Sequence, residues 1–203
     1  MTEAAAASLS DTVTPQGIVA VCDRLDVPVA RALTPAPGSS APGLVVVCAE
    51  IADPGNAGTV IRVADAAGAD AVLLAGDTVD PHNGKAVRAS TGSVFHLPLA
   101  RDRDLAAVLE ACRAAGLTLL AADGTGERDL YEPAVTRLLA GPVAWIFGSE
   151  AHGIPEAVAD AADHRVRVPI LGHAESLNLA TAAAVCLYAT VAARRQLMTS
   201  EQG

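Results

Sequence analysis

The chain has 203 residues, which is long enough for one α/β domain with a sizeable core and only marginally long enough for two small domains. Its 14 Lys and Arg residues against 23 Asp and Glu residues give a net charge of −9, which excludes a uniformly basic coat for nucleic acid. Aromatic residues make up 2% of the chain, too few for the base-stacking platform of an RNA-recognition sheet or an oligonucleotide-binding barrel.

The four cysteines are far apart, and they form neither a C-x-x-C pair nor a Cys/His pair with the spacing of metal ligands. We expect buried, reduced thiols in a cytoplasmic protein without a metal, at Cys22, Cys48, Cys112 and Cys186. The first nine residues lack the basic charge of a secretory signal. The uncharged stretch 176–193 approaches the length of a membrane span, but Asn178 and the small alanine side chains favour a helix buried inside protein, so no membrane is expected.

The first forty residues differ in composition from the rest. Residues 1–15 are rich in Ala, Ser and Thr and are typical of a flexible lead-in. The stretch 17–33 has the pattern of a short strand and a helix, and the Pro-, Gly- and Ser-rich stretch 34–43 is typical of a linker. We therefore predict an N-terminal extension over 1–42 and a main domain over 43–203.

Beyond this boundary, short β-branched runs alternate with Ala-rich helical segments. The predicted strands are 44–49, 71–75, 117–122, 143–147 and 165–168. The predicted helices cover roughly 57–67, 85–90, 104–115, 155–161 and 176–196. Continuous apolar strands that alternate with helices predict an α/β fold with a mostly parallel sheet and helices on both faces. Ligands of such sheets bind at the carboxyl ends of the strands, so the loops there are the candidates for chemistry.

The first candidate loop, Asp53-Pro54-Gly55-Asn56-Ala57-Gly58, leads into a helix that carries Arg62. Pro54 and Gly55 break the chain after the strand, and Asn56 is predicted to cap the helix. The free N–H groups of a helix start can hold an anion. The same pattern also fits an ordinary cap followed by a surface arginine.

Two further loops follow later strands. In Gly148-Ser149-Glu150-Ala151-His152-Gly153 the glycines allow a ligand to approach the backbone and Glu150 accepts hydrogen bonds, although a plain turn has the same composition. In the loop 168–178, Ser176 is predicted to cap the last helix. Asn178 then lies in the first turn of an almost wholly apolar helix, where its amide requires a bonding partner.

Other familiar signatures are incomplete. Gly124-Thr125-Gly126 follows a strand, but Asp129 stands where a dinucleotide fingerprint has its third glycine. Ser149 is not inside G-x-S-x-G, no P-loop occurs, and the five histidines show no metal-ligand spacing. These absences disfavour a nicotinamide-binding unit, a hydrolase elbow and a metal site.

Together, the three loops resemble the three motifs of the SpoU (TrmH-like) branch of the SPOUT RNA methyltransferases. Motif 1 is similar to Asn56-Ala57-Gly58-Thr59-Val60-Ile61-Arg62-Val63-Ala64. Motif 2 is similar to Ile146-Phe147-Gly148-Ser149-Glu150-Ala151-His152-Gly153-Ile154, and motif 3 to Val168-Pro169-Ile170 with Ser176-Leu177-Asn178-Leu179-Ala180. The resemblance covers about residues 43–196. A further run at 85–92 is similar to a segment frequent in members that modify rRNA, which favours rRNA over tRNA.

This resemblance implies a parallel sheet whose C-terminal part forms a deep trefoil knot, and it implies a homodimer. It also implies that the knot loops bind S-adenosylmethionine, with pocket positions at Ala122, Gly148, Val168, Ile170 and Leu177. The implied reaction is methyl transfer to a ribose 2′-hydroxyl of RNA, with 23S rRNA as the expected substrate.

The family's functional positions fall on Asn56, Arg62, Glu150, Ser176 and Asn178. Arg62 is implied at the target ribose and its phosphate, where positioning or phosphate-assisted proton removal suits a guanidinium better than general-base action. The two asparagines are implied to orient the nucleotide and the backbone. Glu150 is implied to stabilise its loop or to orient Arg62, and Ser176 to bond the motif 3 turn.

RNA contacts are implied at Arg62, Lys85 and Arg88. Members that modify rRNA often carry an N-terminal RNA-binding domain, and residues 14–22 resemble its tail, so the extension is interpreted as a remnant of that domain. Three alternatives stay open: a tRNA 2′-O-methyltransferase, a base-methylating SPOUT enzyme, and a non-catalytic RNA-binding or assembly module. The acidic charge argues against tight nonspecific RNA binding by this chain, not against RNA as a substrate.

Overall fold

The computed structural model describes residue 8 and residues 20–35, 37–38 and 42–200. Apart from residue 8, the lead-in predicted at 1–15 lies outside these residues. Most of the 14–22 resemblance and parts of the predicted linker lie outside them as well.

Seven strands form a single parallel sheet in the order β3-β2-β1-β6-β4-β7-β5. They are β1 (Leu44–Ala49), β2 (Ala71–Ala75), β3 (Leu99–Asp102), β4 (Thr118–Ala122), β5 (Arg128–Asp129), β6 (Val143–Phe147) and β7 (His164–Arg167). Every residue of β1, β2 and β6 is buried, as the centre of a parallel sheet covered on both faces requires.

Seven α-helices accompany the sheet within residues 20–35, 37–38 and 42–200. They are α1 (Val29–Ala32), α2 (Pro54–Ala66), α3 (Gly84–Ser90), α4 (Leu105–Ala114), α5 (Pro133–Leu139), α6 (Glu156–Ala161) and α7 (Leu179–Ser200), and a 3₁₀ turn covers Ser93–Phe95. Alternate residues of β1 face two separate cores: Val46 and Cys48 pack with α2, α5 and α7, whereas Val45 and Val47 pack with α1, α4 and α6. The predicted α/β class, with a parallel sheet between two helical layers, is confirmed.

The predicted elements match the structure closely wherever a strand is continuously apolar. Strands 44–49, 71–75 and 143–147 are confirmed without a shift, and those predicted at 117–122 and 165–168 begin one residue later and one earlier. The strand expected within 17–33 is wrong for residues 20–33, which contribute one parallel bridge from Asp26 to Leu99 and the short helix α1. Strands β3 and β5, which are short and carry charged residues, have no counterpart among the predictions, and neither has helix α5.

The thiols divide into two groups. Burial raises the pKa of the Cys48, Cys112 and Cys186 thiols to about 12, so these three are inert at neutral pH. The prediction of a buried Cys22 is wrong, because the segment 20–25 that carries it lies on the surface. None of the described helices, α7 included, is long and apolar enough to cross a membrane.

Polar contacts attach α7 to the sheet at two levels. The buried indole N–H of Trp145 in β6 donates to Thr190 Oγ1 at 2.9 Å, and the Thr190 hydroxyl donates to the Cys186 carbonyl at 3.0 Å. Near the end of the helix, the Arg194 guanidinium donates to the carbonyls of Gly43 and Gly141. Gly43 directly precedes β1, and Gly141 lies two residues before β6. These contacts fix the helix whose first residues border the candidate site.

We expect Thr190→Val to lower the free energy of unfolding by about 1–3 kcal/mol, because the Trp145 N–H would stay buried without an acceptor. Thr190→Ser, which keeps the hydroxyl, should lose less. The control Thr181→Val changes an exposed residue of the same helix and should stay within about 0.5 kcal/mol of the parent. Chemical denaturation measures all three variants, and equal stabilities of Thr190→Val and Thr181→Val would contradict this role.

Candidate active site

A cleft of about 420 Å³ opens at the carboxyl ends of β4, β6 and β7. Three chain segments form its walls: the turn after β4, the loop 148–153 after β6, and the segment 168–178 between β7 and α7. The five positions that the motif resemblance implies for the cofactor all line this cleft, namely Ala122, Gly148, Val168, Ile170 and Leu177. Glu150, Ser176 and Asn178 line it too.

The loop after β6 is closed by its own backbone. The peptide N–H of Ser149 donates to the Gly153 carbonyl, and the Gly153 N–H donates back to the Ser149 carbonyl, both at 2.9 Å. A Cβ atom on Gly148 would overlap the backbone of Gly153 and Ile154, and Gly153 itself has a φ of +69°. Gly148 therefore requires glycine and Gly153 favours it, and the tight loop places the end of β6, at Phe147 and Gly148, in the wall of the cleft.

The side-chain amide of Asn56 connects three separate loops at the rim of the cleft. Its Nδ2 donates to Glu150 Oε1 at 2.8 Å, and its Oδ1 accepts from Asn178 Nδ2 at 3.2 Å. Glu150 follows Asn56 by 94 positions in the chain, and Asn178 follows it by 122. Each loop of the motif resemblance thus contributes one member to a single hydrogen-bonded cluster.

The predicted helix caps are wrong at both asparagine-bearing loops. Asp53, not Asn56, caps α2: its Oδ1 accepts from the Asn56 N–H at 2.8 Å, and Pro54 occupies the first turn. Asn178, not Ser176, bonds the first free N–H groups of α7, since its Oδ1 accepts from Ala180 at 2.9 Å and Thr181 at 3.3 Å. In each loop the cap is the short polar side chain whose backbone directly precedes the helix, which leaves Asn56 free to bridge and Leu177 to line the cleft.

The Asp53 cap was missed by sequence reasoning, although a signal for it exists. An aspartate followed by proline is the usual order of an N-cap and a first helical residue, and the residue three positions after the cap then donates its backbone N–H to the aspartate. The Asn178 amide, expected to be buried, is exposed, and it bonds to Asn56. Ser176 lines the cleft, but its side chain makes no hydrogen bond within residues 42–200.

The structure does not bring Arg62 into the cleft. Arg62 is exposed on α2 and forms no ion pair with the residues that the structure describes. It follows Asn56 by six residues, so at about 100° per residue the two side chains leave the helix about 120° apart. Glu150 bonds to Asn56 instead of orienting Arg62.

The other two basic residues implied for RNA differ in environment. The Lys85 ammonium donates to Asp53 Oδ2 at 2.7 Å, and this contact, together with the Asn56 N–H, holds the pKa of the Asp53 carboxyl below its usual range. Arg88, on the next turn of α3, is exposed and has no acidic partner in the described part of the chain. Within the same residues, no group of three or more His, Cys, Asp and Glu side chains could hold a metal ion.

Comparison with known proteins agrees with this arrangement. Residues 43–188 match the model of the SpoU rRNA Methylase family. The chain is 35% identical over 191 residues to a Bacillus subtilis protein named 23S rRNA (guanosine(2553)-2′-O)-methyltransferase RlmP, covering 93% of this chain and 70% of that protein.

Solved structures show the same fold. The AdoMet complex of the SpoU methyltransferase AviRb from Streptomyces viridochromogenes superposes with a TM-score of 0.69 at 36% identity, covering 77% of this chain and 61% of that one. A structure described as an RNA 2′-O ribose methyltransferase superposes with a TM-score of 0.74 at 33% identity, covering 96% of this chain and 71% of that one. The chain therefore spans about 60–70% of these three proteins, and it belongs to the SpoU rRNA methylase family.

Proposed function

We propose that this protein transfers the methyl group of S-adenosylmethionine to a ribose 2′-hydroxyl of RNA, with 23S rRNA as the substrate. The observation that carries the proposal is the convergence of three loops on one cleft, joined at its rim by the Asn56 amide. The named activities of the relatives support the choice of reaction and of rRNA.

The cleft fits S-adenosylmethionine in size and in chemistry. Its volume of about 420 Å³ lies within the usual range of small-molecule sites, about 300–1,000 Å³. The apolar side chains of Ile154, Ile170 and Leu177 suit the adenine ring, and backbone groups beside Gly148 and Val168 suit its polar edge. The carboxylates of Asp123, Glu150 and Glu175 suit the positive charges of the sulfonium and the ammonium. When bound, the cofactor supplies a methyl group that its positive sulfur already activates.

The protein's own task is then to align a poor nucleophile and to help remove its proton. Alignment of two bound reactants is worth several powers of ten in rate, which suits a site made of positioning groups. We assign orientation of the nucleotide to Asn56 and Asn178, whose amides face each other at the rim. Glu150 is proposed to hold the 148–153 loop in place through its hydrogen bond to Asn56. Ser176, whose side chain bonds no residue within 42–200, contributes to the wall of the cleft.

Arg62 is proposed to bind the target ribose and its phosphate, and Arg88 a further phosphate. Because Arg62 lies outside the cleft of its own chain, the proposal includes a homodimer in which a second copy supplies this cation to the cleft. The exposed aromatic Tyr188 on α7 and the exposed Leu171 beside the cleft are apolar surface that such a contact would cover. Sedimentation as a monomer at assay concentration would contradict the homodimer.

The finer architecture belongs to the same proposal. We propose a SPOUT methyltransferase domain over 43–203 and an RNA-binding remnant over 1–42, which is supported by the start of β1 at Leu44 and of the family match at residue 43. We propose that segment 168–178 is threaded through the preceding chain as a trefoil knot. This is supported by the path from β7 at one side of β4 to a helix that bonds β6 on the other side. An rRNA substrate supports a cytoplasmic location.

We expect Gly148→Ala to weaken S-adenosylmethionine binding by about 5- to 150-fold, since the added methyl group would displace the backbone of Gly153 at a cost of about 1–3 kcal/mol. Gly124→Ala is the matched control: it lines the same cleft and has open space around its Cβ position. Titration calorimetry measures both, and equal affinities would contradict the assignment of the cleft.

We expect the wild-type protein to place a labelled methyl group on a ribose of 23S rRNA, and Arg62→Ala to lower kcat by about 100-fold or more. Mass spectrometry of nuclease-digested rRNA and tRNA, incubated separately, identifies the product. Ribose methylation of tRNA alone would show that tRNA, not 23S rRNA, is the substrate. Methylation of a base would show that the ribose 2′-hydroxyl is not the acceptor. No methylation of either RNA would favour a non-catalytic RNA-binding module, and a loss of RNA affinity without a loss of kcat in Arg62→Ala would refute its catalytic role.

A further inference from the structure

We propose that Lys85 is a positioning residue of the methyl-transfer site, acting on Asn56 through the Asp53 carboxylate, instead of an RNA contact. This inference rests on the proposed function, because the residue that it positions is the one that joins the three loops. It assigns Lys85 and Asp53 a role that differs from that of the neighbouring Arg88.

The two oxygens of Asp53 connect Lys85 to the rim of the cleft. Oδ2 accepts from Lys85 Nζ at 2.7 Å, and Oδ1 accepts from the backbone N–H of Asn56 at 2.8 Å. The Asn56 side chain continues the series to Glu150 at 2.8 Å and Asn178 at 3.2 Å. A continuous run of hydrogen bonds therefore leads from the ammonium on α3 to all three loops of the site.

The surroundings of Lys85, a residue of α3, hold its side chain against the start of α2. Its backbone N–H donates to Asn83 Oδ1 at 2.9 Å, which fixes the first turn of α3. Its side chain passes over Gly55, where a Cβ atom would lie 3.1 Å from Lys85 Cε. A Cβ on Gly58 would overlap the Ala86 carbonyl, so the two helices touch backbone to backbone. Two glycines thus create the space that lets α3 deliver this lysine to Asp53.

The charge of the Asp53 carboxylate links the Lys85 contact to the orientation of Asn56. Asp53 and Glu150 are two carboxylates that both accept hydrogen bonds from Asn56, one from its backbone and one from its side chain. Among the described residues, Lys85 is the cation that pairs with Asp53, whereas Glu150 has no cationic partner there. Without Lys85, the partly exposed Asp53 carboxylate would lose the contact that fixes its Oδ2, so its Oδ1 would hold the Asn56 N–H less firmly and the orientation of Asn56 would loosen.

Arg88 provides an internal comparison. It lies three residues after Lys85 on the same helix, has the same charge, is exposed, and has no acidic partner among the described residues. A cation that contacts RNA changes substrate affinity when it is removed, whereas a positioning residue changes the rate of the bound complex. The two residues should therefore fail in different ways.

The experiment compares Lys85→Met, Asp53→Asn, the double variant, Lys85→Arg and Arg88→Met in steady-state methyl transfer to 23S rRNA. Asp53→Asn keeps an oxygen that can cap α2 but removes the charge. We expect Lys85→Met and Asp53→Asn each to lower kcat by about tenfold or more with little change in the KM for RNA, because small misplacements of aligned groups are costly. The double variant should be no worse than either single variant, Lys85→Arg should restore most of kcat, and Arg88→Met should raise KM with kcat unchanged.

A rise in KM at constant kcat in Lys85→Met, or additive losses in the double variant, would overturn the proposal. Two measurements that do not depend on activity separate this outcome from failure of the proposed function. They are hydrogen exchange at the backbone N–H of Asn56 and titration of the Asp53 carboxyl, both followed by NMR. Lys85→Met should speed that exchange and raise the pKa of Asp53, because the carboxylate loses the hydrogen bond from the Lys85 ammonium. Arg88→Met should change neither. If the wild type methylates no RNA, the proposed function fails, and unchanged exchange in Lys85→Met overturns the positioning role by itself.

Discussion

The hydrogen bonds of the Asn56 side chain are the interaction on which the candidate site depends. One amide holds a residue from the loop after β6 and one from the segment before α7, and its own backbone is held by the α2 cap. Each such bond contributes only about 0.5–1.5 kcal/mol to folding, so the contribution to stability is small. Its value is orientation, because it fixes the relative positions of three loops that surround one cleft.

The sheet makes this convergence possible. Strand β6 pairs with β1 on one side and with β4 on the other, so the loops after β1 and β6 leave neighbouring strands about 5 Å apart at the same edge. Helix α7 is the third support, because Trp145 and Thr190 attach its middle to β6 and Arg194 attaches its end to carbonyls beside β1 and β6. The burial that this requires lowers the pKa of the Arg194 guanidinium, whose carbonyl partners satisfy its donors. The rigid helix then presents Asn178 to Asn56.

The sequence predicted those parts of the fold whose order is local. Strands β1, β2 and β6 are continuous apolar runs, and their bounds follow from composition alone. Strand β3 has two buried and two exposed residues and β5 has two residues in all, so both owe their structure to pairing with a neighbour that the sequence does not reveal. The five cofactor positions came from motif resemblance, and all of them line the cleft. The two predicted caps are wrong because each loop offers two polar side chains, and the cap is the one whose backbone directly precedes the first helical residue, a boundary that composition does not locate.

The kcat of Asn56→Asp measures most directly whether the Asn56 amide positions the site, because this variant keeps the shape of the side chain and replaces the Nδ2 donor that faces Glu150 with a carboxylate oxygen. Two like charges would then meet where a 2.8 Å hydrogen bond now stands, so the loops after β1 and β6 would separate. We expect methyl transfer to fall about 100-fold or more, with the unfolding transition nearly unchanged. Transfer by Asn56→Asp at the wild-type rate would contradict this positioning role.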